Sequence, residues 1–152
     1  ARLVANEAAA ASTVRTINTS QVTYATRFPE KGYAPDLATL GPGPTGCAGE
    51  GTAEHACLLD NQLGASRCTA GAWCAKSGYN YSLSREGSCG TEARDTGSGE
   101  CNYVIVATPV STATGRRSYC SISDSVIRSQ YTSTISTPIS ATECAAWSPI
   151  TD

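Results

Sequence analysis

Large apolar side chains are scarce in this sequence. Leu, Ile, Val and Phe number 7, 7, 7 and 1 in 152 residues, a level at which a highly charged chain stays unfolded for want of a core. Charge is low, however, with a net of -2, and that balance removes the electrostatic reason to expect nucleic acid or an anionic membrane as partner. No run of about 18 or more apolar residues occurs and no signal-type apolar stretch, so no membrane-spanning helix is expected within the chain. There is one histidine, His55, which leaves a single base for any Ser-His-Asp or Cys-His arrangement. The CxxC and HxxxH spacings of zinc sites are missing. The expectation is a chain that is not an enzyme, with no catalytic residues, no metal site and no cofactor.

What the chain does have is eight cysteines, spread evenly in number over residues 47 to 144. That pattern reads as a disulfide framework made in an oxidising compartment. At 152 residues the length suits one domain, 1–152. Residues 1 to 46 contain no cysteine, so the opening segment must be held by packing. It starts at Ala1 without an initiator Met, from which a preceding segment is expected.

The opening segment, 1–28, reads as a helix. Val14, Ile17, Gln21, Tyr24 and Phe28 recur at spacings of three and four, giving one narrow face for a sheet, and Pro29 and Gly32 end the pattern. The earlier half offers Ala in almost every direction and so marks no face for an intramolecular core. Two readings stand for it. Small side chains let a second helix backbone approach closely, which suits packing against copies of the same chain. Alternatively these are good helix formers on a solvated face.

Residues 29–78 are loop chemistry, rich in Pro and Gly, with a possible short turn at PDLATL and a second helix expected at EHACLLDNQLGA, closed by Gly64. Residues 79–131 carry the strand signals. In GYNYSL the side chains of Tyr79, Tyr81 and Leu83 alternate, and NYVIVATPV, RRSYCSIS and VIRSQYT follow, separated by turn residues. Cys89 and Cys101 sit near the two ends of a long hairpin loop. Residues 132–152 form a tail without strand signals. The expected class is α+β, a long N-terminal helix packed on an antiparallel sheet of about four strands.

ANEAAAASTVRTINTSQVTYATRFPEKGYAPDLATLG resembles the helix and following loop of bacterial type IV pilins and of the related type II secretion pseudopilins. LLDNQL, KSGYNYSL and YVIVATPVSTATGRRSYCSISDSVIR resemble further pieces of that family in the same order. The resemblance implies a structural subunit of an extracellular filament, held in the inner membrane before assembly by an apolar helix upstream of Ala1. Its partners would be other copies of itself and the assembly machinery in the membrane. On that reading Leu3, Val4, Ala8, Ala9 and Ala11 belong to the subunit interface, and Val14, Ile17, Tyr24 and Phe28 to the packing of helix on sheet. A secretion pseudopilin, a minor pilin and a stand-alone secreted disulfide-rich binding domain remain as alternatives.

Loop chemistry favours sequential cysteine pairing, Cys47 with Cys57, Cys68 with Cys74, Cys89 with Cys101 and Cys120 with Cys144, out of the many connectivities open to eight cysteines. The last pair also resembles the C-terminal loop that many pilins staple. Other candidate sites are weaker. Asp60, Asp95, Glu100 and Asp124 lack the DxDxDG spacing of a calcium loop. Arg116 and Arg117 fall at a turn but are too few for a phosphate-binding patch. The sequons at Asn18 and Asn80 lie in expected regular elements, not loops. The aromatic residues are accounted for by packing.

Overall fold

The computed structural model describes residues 2–44, 46–47, 51–87, 101–132 and 134–150. Helix α1 spans Arg2–Arg27, about 39 Å at the helical rise. It is followed by a short helix α2, Leu37–Leu40, capped by the Asp36 side chain on the Thr39 amide. The strands are β1 Cys74–Lys76, β2 Tyr79–Glu86, β3 Asn102–Pro109, β4 Arg117–Ile122 and β5 Arg128–Tyr131. Helix α3, Ala141–Ala145, and β6, Ser148–Pro149, complete the chain order. The sheet runs β1-β2-β3-β4-β5-β6, every neighbour antiparallel.

Alternation fixes the register. Tyr79, Tyr81 and Leu83 on β2 lie opposite Pro109, Ala107 and Ile105 on β3, and this face joins Val14, Ile17 and Tyr24 of α1 in the larger core. A one-residue slip would exchange the tyrosines with Asn80, Ser82 and Ser84 between the two faces. The opposite face is covered as well. Val104, Val106 and Cys120 meet Ala141 and Cys144, with Trp73, Ile122, Ile135, Ile139 and Trp147 packed at the margin. Strand β3 is therefore buried from Tyr103 to Pro109, which is why it reads as a nearly continuous apolar run.

Three sequence expectations need correction. Residues 54–65 form no helix, because Ala56, Leu58 and Leu59 donate their amides to the carbonyls of Thr39 and Leu40, and Cys57 donates to Gly41. Cys57 also takes a left-handed φ of 57°, which a right-handed helix cannot carry. The loop crosses α2 so closely that a Cβ on Gly41 or Gly64 would strike the other's backbone. Second, the tail is not strandless. It contains α3 and β6, whose pairing with Arg128 and Ser129 makes the sheet six-stranded, with β1 at the other edge.

The third correction concerns the first half of α1. It does not stand free. Ala10 and Ala11 are buried, the Asn6 amide donates to the Thr114 carbonyl at 3.1 Å, and Glu7 Oε2 accepts the backbone amides of Arg116 and Arg117 at 3.0 and 3.1 Å. The turn between β3 and β4 rises against the helix here. Small Ala side chains leave it room.

Three cysteine pairs are bonded, Cys47–Cys57, Cys68–Cys74 and Cys120–Cys144, and no described cysteine is free. The pairing of Cys101 with Cys89 lies outside the described residues. Cys120 and Cys144 are fully buried, so their bond ties α3 onto the sheet from inside the second core.

Candidate functional site

Turning α1 by its period puts Ala10, Ala11, Val14, Ile17, Asn18, Gln21 and Tyr24 on the sheet side, all buried, with Phe28 half-buried beyond the helix end. The outward strip consists of Val4, Ala5, Ala8, Ala9 and Ser12, and continues as Arg15, Thr16, Thr19 and Val22. Val4 is 65% exposed and Val22 52%. Leu3 is half-buried. Ala11, expected at a subunit interface, is turned into the chain's own core and leaves the strip. The remaining surface is small and apolar over the first turns, then polar with hydroxyls. A helix or sheet can approach the first part closely.

Two buried amides hold α1 in place, Gln21 from the expected stripe and Asn18, which the sequence marks only as part of a sequon. Gln21 exchanges two hydrogen bonds with the backbone of Ala34, at 3.0 and 2.8 Å, fixing the loop after the helix. Asn18 donates to Ser121 Oγ at 3.0 Å and accepts from the Tyr103 hydroxyl at 2.7 Å. A side chain so engaged cannot accept a glycan in the folded protein. Asn80 lies half-buried in β2, opposite Thr108.

The ionisable candidates separate rather than converge. Asp60 caps the turn at Gln62 and Leu63, and the Lys76 ammonium at 2.9 Å holds its carboxyl below the usual range. Partial burial would push Asp124 up, but hydrogen bonds from Arg128 and the Val126 amide outweigh it and hold this carboxyl down too. The His55 ring packs on Gly43, where a Cβ would collide with it, and its Nδ1 has no partner among the described residues. No group of three metal-ligating side chains occurs among the described residues. Asp95 and Glu100 lie outside them. Arg117 donates to the Tyr131 hydroxyl at 2.6 Å and lies over that ring, so with Arg116 it forms a pair at one strand end and not a stripe.

No helix among the described residues is long and apolar enough to cross a membrane. The disulfides are consistent with an oxidising location. Comparison with protein-family models, with curated proteins and with solved structures returns no match.

Proposed function

We propose that this chain is the head of a structural subunit of a type IV pilin-like filament, assembling through the outward strip of α1. One observation carries the reading. A 26-residue helix spends one stripe on its own sheet and leaves Val4, Ala5, Ala8 and Ala9 exposed on the opposite side of its first turns. The close contact that such small side chains allow is the kind on which helix bundles are built. The stapled C-terminal segment supports the same reading, since Cys120–Cys144 secures a surface that a filament would display. Cohesion would come chiefly from an apolar helix encoded upstream, because Ala side chains bury little surface of their own.

The test uses the full-length gene product in its own cells. Ala9→Asp should abolish filaments while leaving the melting temperature of the head unchanged. Normal filaments in the Ala9→Asp strain would exclude this strip as the contact. A reading frame without an upstream apolar segment would instead make the chain a stand-alone disulfide-rich binding domain.

A further inference from the structure

We propose that the cleft between the end of β5 and the α3–β6 segment binds a saccharide carrying a carboxylate. The cleft has a volume of about 530 Å³ and is lined by Arg117, Ser129, Gln130, Tyr131, Trp147 and Ser148 among others, within the range of small-ligand sites.

Its aromatic content is held open to solvent. Tyr131 is 70% exposed, the most exposed of the large hydrophobic side chains described. It lies opposite Arg117 in the β4–β5 register. The guanidinium carbon lies 4.5 Å from its ring centroid, and Arg117 Nη2 reaches its hydroxyl at 2.6 Å. An aromatic ring fixed by a polar contact rather than by burial is preorganised for a ligand at little entropic cost. Across the cleft, the Trp147 amide closes the end of α3 on the Cys144 carbonyl, and the Cys120–Cys144 bond holds that turn.

The polar groups between those walls are unused. The Trp147 indole N–H, the Gln130 amide and the hydroxyls of Ser129 and Ser148 make no hydrogen bond among the described residues. A sugar presents a C–H face that lies on an aromatic ring and an edge of hydroxyls that pair with amides and hydroxyls. The charged group in the lining is Arg117, whose planar fork matches a carboxylate. Its neighbour Arg116 is exposed. The nearby carboxylate, Glu7, is occupied by two backbone amides. These features select an acidic sugar over a neutral one.

The intact disulfide-bonded protein is titrated with trigalacturonate and with sialyllactose, beside galactotriose and lactose, by calorimetry and saturation-transfer NMR. At least one acidic probe should bind saturably, and more tightly than its neutral counterpart. Tyr131→Ala should weaken that binding at least ~10-fold without changing the melting temperature, since the ring is exposed. Arg117→Gln should bring the acidic probe down to the neutral one. Arg117→Lys should recover only part of the loss, because an ammonium lacks the fork. The proposal is overturned if neither acidic probe saturates at millimolar concentration, if binding survives Tyr131→Ala, or if neutral and acidic probes bind alike.

Discussion

The Asn18 side chain shows how much one residue carries in a protein with so few large aliphatics. Its amide joins α1 to β3 through the Tyr103 hydroxyl and to β4 through Ser121. In a low-dielectric layer, losing one partner costs the desolvation of the group left behind. Asn18→Ala should therefore destabilise by about 2 kcal/mol in urea unfolding. In a Tyr103→Phe background the same change should cost clearly less, because no hydroxyl is then orphaned. Equal costs in both backgrounds would mean that the Asn18–Tyr103 bond contributes nothing. In sequence, Asn18 reads as part of a sequon. The NTS pattern is visible there, but the burial that overrides it depends on Tyr103, 85 positions away. Gln21 was legible as a member of the buried stripe. Its partner Ala34 was not, since a loop carbonyl leaves no mark in composition.

At the scale of elements, the stripe on α1 and the alternation in β2 were readable because each periodicity is local. The expected helix at 54–65 failed for the opposite reason. Its apolar spacing was genuine, yet the backbone groups of 56–59 are bonded by α2 from a distance. Strand β6 is only two residues long and has no alternation to read. The first half of α1 was misjudged because Ala is silent about direction, and the hydrogen bonds that anchor it come from Asn6 and Glu7 to a turn more than a hundred residues on.

Ala9 is exposed and Ala10 fully buried, one step apart on the same helix. Ala9→Asp should shift stability by less than about 0.5 kcal/mol, and Ala10→Asp by several. Ile17→Asp should match or exceed the latter. Thermal melts of the three variants decide it, and similar melts for Ala9→Asp and Ala10→Asp would return the whole first half to solvent. Removing the buried staple with a Cys120→Ala, Cys144→Ala pair should cost about 2–4 kcal/mol. It should also speed hydrogen exchange at Trp147 and Ile150, whose amides bond the carbonyls of Cys144 and Ile127 and so depend on the segment it secures.

At the scale of the whole molecule, four tyrosines of the sheet join a small number of Leu and Ile side chains in the larger core, and this sets its response to pH. Tyr79, Tyr81, Tyr103 and Tyr119 all belong to the layer between α1 and the sheet. Burial pushes each of their phenols above the ordinary value. Tyr79 and Tyr103 also donate to oxygen acceptors, the Arg117 carbonyl and Asn18 Oδ1, both at 2.7 Å, so a phenolate there would face another oxygen. A phenol whose folded pKa is raised contributes stability that is complete below the unfolded value, about pH 10, and is lost as pH rises from there through the folded one. With four such groups the losses add, and the sheet should open cooperatively above pH 10. The acid side differs. Asp60 and Asp124 have lowered pKa values, so their contributions are present above about pH 4 and fade below it, but both lie on the surface and stabilise little. The protein should therefore tolerate acid better than alkali. Phenolate absorbance from Tyr79, Tyr81, Tyr103 and Tyr119 should rise together with the loss of far-ultraviolet circular dichroism. Ionisation of these four phenols with the dichroism intact would show that the tyrosine layer admits water, and that the packing of α1 on the sheet does not depend on their neutral form.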